Sequence, residues 1–160
     1  MPKNDNWSTP PDLIERLEKD FPFTHEIFAA EGNRALPSLP YYGLDNGKDA
    51  FEVEWEDNSV NFLNPPYSFL TKAVHLTCGW TTIKPSITSV MLIPAYTDTK
   101  YFQDCIAKDA IQVRLLKGRL RFWEGGKPGK DTARFASAIV VFGQNYLLKG
   151  PEMVFWDWKS

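Results

Sequence analysis

Ser59-Val60-Asn61-Phe62-Leu63-Asn64-Pro65-Pro66-Tyr67 joins an apolar run to a paired-proline turn. Ser59 to Leu63 holds Val, Phe and Leu in five residues and reads as a short buried strand. Pro65 and Pro66 lack the N–H that a sheet ladder requires, so the strand must stop at Asn64. Each proline also fixes φ near −65°. The carbonyls of this turn are therefore held in set directions at the end of a strand.

Outward from this turn the chain alternates. Upstream, Thr9-Pro10-Pro11-Asp12 has the form of an N-cap with proline in the first turn, and Leu13, Ile14 and Leu17 make an apolar stripe, which predicts a helix over Pro10 to Asp20. Phe23 to Ala30 reads as a strand, followed by an irregular stretch holding Gly32, Pro37, Pro40, Gly43 and Gly47. Downstream, the pattern predicts a helix over Phe69 to Trp80, a strand over Ile87 to Ala95 and a helix over Thr97 to Lys108. Strands are then predicted at Ile111 to Leu116 and Arg119 to Trp123 on either side of Lys117-Gly118, at Ala136 to Phe142, and at an edge from Met153 to Trp158. Such alternation implies one α/β domain over residues 1–160, its sheet mainly parallel with a late antiparallel hairpin. In sheets of this kind ligands sit beyond the carboxyl ends of the strands. Asn64 to Tyr67 lies at that kind of place.

A content of 43% hydrophobic and 24% charged residues excludes disorder and collagen-like structure. The longest apolar runs, Ala138 to Gly143 and Val90 to Ala95, fall far short of the ~20 residues that cross a bilayer. The polar start Met1 to Ser8 lacks a secretory pattern, so a cytoplasmic location is expected. Cys78 and Cys105 lack C-x-x-C spacing and read as core or surface thiols. His25 and His75 stand without a second His at ligand spacing, and no metal is expected.

Charge is divided. Met1 to Val60 carries thirteen acids and five bases, whereas Gln112 to Arg134 carries seven bases against Glu124 and Asp131. Arg119, Arg121, Lys127 and Lys130 surround a Gly-rich turn at Gly125-Gly126, where a basic hairpin can meet phosphates or simply be solvated.

The chemistry of the turn is more particular. An Asn carboxamide oxygen and a neighbouring carbonyl can both accept hydrogen bonds from one amino group. That draws the nitrogen out of planarity and exposes its lone pair to an electrophile. Tyr67 adds a π-face for a planar group.

Asn64-Pro65-Pro66-Tyr67 resembles the catalytic motif of amino-group methyltransferases that use S-adenosylmethionine. Trp7-Ser8-Thr9-Pro10, Phe23 to Arg34, Asp49-Ala50 with Trp55, and Lys117-Gly118-Arg119-Leu120-Arg121-Phe122 follow the order seen in phage-type N6-adenine DNA methyltransferases, the Dam-like phage family. The likeness runs from about Asp5 to Phe142. It implies a Rossmann-like methyltransferase sheet, S-adenosylmethionine as methyl donor, double-stranded DNA as partner, and a phage setting in which methylation protects DNA from restriction or regulates it.

By resemblance, Asn64, Pro65, Pro66 and Tyr67 are the catalytic turn. Thr9 and Pro10 are placed near the carboxylate end of the cofactor, with Trp7 as a wall. Glu26 stands beside the methionine portion where the family has Asp, and Asp49 lies near the nucleoside. Gly118, Arg119 and Phe122 match a late segment that is structural or DNA-facing. Only Gly32 follows the Glu26 segment where a full Gly-rich loop would stand. Bland readings remain beside these: Asp49 as a turn residue or cap, Glu26 as a strand end, Trp7 as a core anchor. Protein glutamine or RNA as the methyl acceptor, or a binding relative without catalysis, also stay open, as does a monomer or weak dimer.

Overall fold

The computed structural model describes residues 7–144 and 150–160; Met1 to Asn6 of the polar start lie outside them. Seven strands form one sheet in the order β2-β1-β3-β4-β8-β5-β9. They are β1 (His25–Ile27), β2 (Tyr41–Tyr42), β3 (Val60–Leu63), β4 (Thr88–Pro94), β5 (Gln112–Leu116), β8 (Ser137–Phe142) and β9 (Glu152–Trp156). All pair in parallel except β8, which runs antiparallel between β4 and β5. β6 (Trp123–Glu124) and β7 (Lys127–Pro128) make a separate two-stranded hairpin.

Both faces of the sheet are covered, so alternate residues of each strand enter different cores. Met91, Ile93, Ala138, Val140 and Val113 pack beneath α2 (Leu70–Ile83) and a π-helical turn, Phe102–Ile106, that continues into α3 (Ala107–Asp109). Phe62, Val90, Leu92, Ile139 and Val141 pack on the other side against Leu13, Ile14 and Leu17 of α1 (Pro11–Glu18) and against Leu120, Phe122 and Ala133.

The mainly parallel α/β sheet follows the sequence pattern; the late hairpin differs from it. Arg119 to Trp123 does not pair back on β5, because both edges of β5 are taken, by β8 and by β9. After Gly118 (φ 78°) the chain runs beside residues 129–133 instead, with Gly129 N–H donating to Phe122 O at 2.8 Å and Ala133 N–H to Leu120 O at 2.7 Å. Helix α1 is also capped one residue later than the pattern suggests. Pro10 is the N-cap, its carbonyl accepting from Leu13 and Ile14, and the Thr9 hydroxyl is released from that duty. β1 ends early because Phe28 adopts φ 59°, a left-handed conformation uncommon for an aromatic residue. The edge pair Tyr41–Tyr42 forms a strand where an irregular connection was expected. Cys78 and Cys105, read from sequence as thiols, are joined to each other across α2 and the π-helical turn. No described helix is long and apolar enough to cross a membrane.

Candidate active site

The register Ile27↔Leu63 makes β1 and β3 end side by side. The next residues, Phe28 and Asn64, are thereby neighbours at the carboxyl edge of the sheet. A cleft opens there, lined by Trp7, Thr9, Glu26, Ile27, Phe28, Ala29, Asn33 and Asn64. Its free volume is about 10 Å³, roughly enough for one water. A larger ligand therefore requires the loop after β1 to move outward.

Asn64 donates from Nδ2 to Thr9 Oγ1 at 3.0 Å. Its Oδ1 is the other end of the same planar carboxamide. Pro66 N-caps a 3₁₀ turn over Tyr67–Phe69 that runs into α2, and its carbonyl accepts from the Phe69 N–H at 3.2 Å. The Pro65 carbonyl takes no part in that closing bond.

Tyr67 lies among rings. Its centroid is 6.4 Å from that of Trp7 and 5.4 Å from that of Phe135, both edge-to-face; Trp7 stacks on Phe122 at 5.2 Å, and Tyr96 meets Phe135 at 5.9 Å. Burial pushes the Tyr67 phenol well above its ordinary pKa, and the neighbouring Tyr96 and Tyr101 push the same way. It therefore remains protonated near neutrality. Neither Phe135 nor Tyr96 stands out in the sequence. Their signal is topological: Pro94↔Ser137 is the last pair of the β4–β8 ladder, and each ring sits two residues beyond it.

Glu26 lines the cleft, but its carboxylate is committed elsewhere. Oε2 accepts from Arg34 Nε at 2.9 Å and from the Leu36 N–H at 3.0 Å, while Oε1 accepts from the Ala35 N–H at 2.7 Å. Arg34 also donates to the carbonyls of Leu36 and Leu39 and lies 4.1 Å over the Tyr41 ring. Glu26 thus shapes the loop behind the cleft, a role that sequence reading missed together with Arg34. Asp49 is not among the cleft residues; Oδ1 accepts from the Phe51 N–H at 2.9 Å and its carbonyl from the N–H groups of Glu52 and Val53, the geometry of a capping turn.

Trp7, Thr9, Glu26 and Asn64 therefore come together, with Pro10 buried behind Thr9, and Asp49 stands apart. The basic residues lie on the β6–β7 side. Arg119, Arg121, Lys127 and Lys130 are exposed, and Gly125 (φ 63°) and Gly126 (φ 80°) make the tight turn of the hairpin. Arg121 is braced inward, donating to the carbonyls of Gly129 at 3.0 Å and Lys130 at 2.6 Å. Ser8 ties this hairpin to the cleft: its N–H donates to Trp123 O at 2.8 Å, and the Trp123 N–H donates to Ser8 O at 3.0 Å.

Elsewhere, His25 is buried between Thr24 Oγ1 (2.8 Å) and Glu56 (3.3 Å), which fits a structural histidine. Asp109 approaches Cys78 and Cys105, whose sulfurs are bonded to each other and so are not thiolate donors.

A mostly parallel sheet that presents Asn-Pro-Pro-Tyr at its carboxyl edge, beside an aromatic wall, has the form of an enzyme acting on an exposed amino group. The family described as DNA N-6-adenine-methyltransferase (Dam) matches residues 1–158, and the chain belongs to that family. No curated protein matches it significantly.

Proposed function

We propose that this chain transfers a methyl group from S-adenosylmethionine to the N6 amino group of adenine in double-stranded DNA. The observation that carries the reading is the Asn64 carboxamide at the carboxyl end of β3, its Nδ2 donating to Thr9, which assigns the Oδ1 end to the target amino group.

Adenine is turned out of the duplex at a cost of about a few kcal/mol and settles against Tyr67 and the rings around it. Asn64 Oδ1 and the Pro65 carbonyl accept the two N6 hydrogens, which localises the nitrogen lone pair. S-adenosylmethionine, when bound, supplies an electrophilic methyl on a sulfonium. The amino nitrogen forms the new C–N bond as the C–S bond breaks, and one N6 proton is lost to solvent. Tyr67, kept protonated, stacks and is not the base. The protein contributes chiefly position, without a covalent intermediate.

With the loop after β1 moved outward, the donor would take the Thr9 hydroxyl, the Asn33 side chain and the backbone of residues 26–29 as polar partners, with Trp7 as a wall and Pro10 behind. The Glu26 carboxylate acts on this site through the loop it holds. Asp49 is assigned to the nucleoside by resemblance alone. Arg119, Arg121, Lys127 and Lys130 serve phosphates, Arg121 partly by bracing the hairpin.

Incubation with S-adenosylmethionine and unmethylated DNA, followed by nucleoside mass spectrometry, tests the reading with Asn64→Ala as control. N6-methyladenine from the wild type alone is expected. No methylated base from folded, donor-binding protein would overturn it and direct the search to protein glutamine or RNA. The full engagement of Glu26 favours a second reading, a DNA- or donor-binding relative without turnover; calorimetric donor binding with no product on any nucleic acid or protein would select it.

A further inference from the structure

Thr9 is expected, by resemblance, to contact the methyl donor, and nothing in that role involves Asn64. We propose that Thr9 is also a positioning residue that sets which end of the Asn64 carboxamide faces the reacting nitrogen; the inference rests on the methyltransferase reading above.

A carboxamide has two nearly isosteric ends, one accepting and one donating. Rotated by a half-turn, Asn64 would aim an NH₂ at the target amino group, donor against donor. Only the orientation with Oδ1 toward the target is productive, and Thr9 Oγ1, accepting from Nδ2 at 3.0 Å, holds that orientation.

The hydroxyl is well placed to do so. Thr9 is 5% exposed and clamped on both sides. On one side Ser8 exchanges two backbone hydrogen bonds with Trp123, and Trp7 stacks on Phe122. On the other, Pro10 and not Thr9 is the N-cap of α1, and the helix makes no side-chain capping bond there, so the Thr9 hydroxyl is not drawn to the helix end.

A hydroxyl both donates and accepts, so by itself it could bond either end of the carboxamide. Thr9 also lines the cleft. A donor carboxylate that accepts a hydrogen bond from the Thr9 hydroxyl would leave the hydroxyl oxygen only as an acceptor toward Asn64, which favours the same amide orientation. Thr9 in this way links occupancy of the donor site to readiness of Asn64.

The test uses the full chain with Thr9→Val, which keeps the shape and removes the hydroxyl, and Thr9→Ser, which keeps the hydroxyl. Single-turnover methylation at saturating donor and DNA should fall at least tenfold in Thr9→Val and return to within about threefold of wild type in Thr9→Ser. In the protein without ligands, the ¹⁵N side-chain amide signals of Asn64, assigned by their loss in Asn64→Ala, should shift in Thr9→Val and stay close to wild type in Thr9→Ser. An unchanged saturating rate in Thr9→Val, with only weaker donor binding, would overturn the proposal and leave the methyltransferase reading intact. Unmoved amide signals would overturn it whatever the enzyme methylates. Should wild-type protein yield no N6-methyladenine, the reading of function fails, while the amide signals still decide the contact.

Discussion

Arg34 donates to Glu26 at 2.9 Å from a position eight residues away, and both side chains are almost wholly withdrawn from water. A buried pair is held by completeness: each carboxylate oxygen has a partner, and the guanidinium adds two carbonyls and a ring face. Removing one partner leaves the other charge stranded. Glu26→Gln should therefore lower stability by about 3–5 kcal/mol, read as a lower denaturant midpoint at unchanged slope. Adding Arg34→Met to it should recover much of that loss. If Glu26→Gln unfolds like wild type yet loses donor binding, the carboxylate serves the ligand and not the loop.

Gly43 makes a different demand on the same corner. Its φ of −157° suits any residue, but a Cβ there would collide with the Ala29 carbonyl oxygen and lie 3.1 Å from the Tyr41 ring. Ala29 lines the cleft and donates its N–H to Tyr42 O, so the crowding reaches both β2 and the site. Gly43→Ala should cost about 1–3 kcal/mol in unfolding experiments and weaken donor binding in calorimetry. Wild-type values for both would show that the β2 edge yields freely.

What could be read from the sequence followed from local signals. Asn64-Pro65-Pro66-Tyr67 announces both the end of β3 and its chemistry, because proline acts on its own residue and the one beside it. The β-branched run before Phe142 announces β8, but not that β8 is the antiparallel strand and lies between β4 and β5. That pairing separates Arg119–Trp123 from β5, and no local propensity encodes it. Asn64 and Thr9 are 55 residues apart and meet only because β1, β3 and α1 pack together. Glu26 looked like a ligand-facing acid, and its partner Arg34 was hidden because an exposed and a buried Arg look alike in a sequence.

Asp20, just beyond α1, accepts from Arg114 on β5 at 2.7 Å and from Arg16 at 3.3 Å. The hydrogen bond from Arg114 is the main cause that holds the Asp20 carboxyl below its ordinary pKa. A carboxyl depressed in the folded state stabilises fully above its unfolded value of about 4, and that contribution is lost as pH falls through the folded pKa. At 33% side-chain exposure the contribution is screened, so it should stay under about 1 kcal/mol. Asp20→Asn should therefore lower the melting temperature slightly at pH 7 and have little effect near pH 2. An equal loss at both pH values would show that packing of Arg114 on Phe21 and Trp156, and not charge, holds this corner.

Arg119 and Arg121 are two residues apart, both exposed, and do different things. Arg121 spends its guanidinium on the carbonyls of Gly129 and Lys130, whereas Arg119 makes no ion pair or side-chain hydrogen bond among the described residues. Arg119→Ala should weaken binding to any duplex alike and reduce the slope of log K against log salt by about 1, with the melting temperature unchanged. Arg121→Ala should also loosen the β6–β7 hairpin, seen as faster amide exchange at Gly129. Because Trp123 is bonded to Ser8, that loosening should reach the Trp7–Thr9 segment and lower the methylation rate beyond what weaker binding explains. Identical salt slopes, exchange and rates for the two variants would show that Arg121 is only another phosphate contact and that the hairpin is not braced by its side chain.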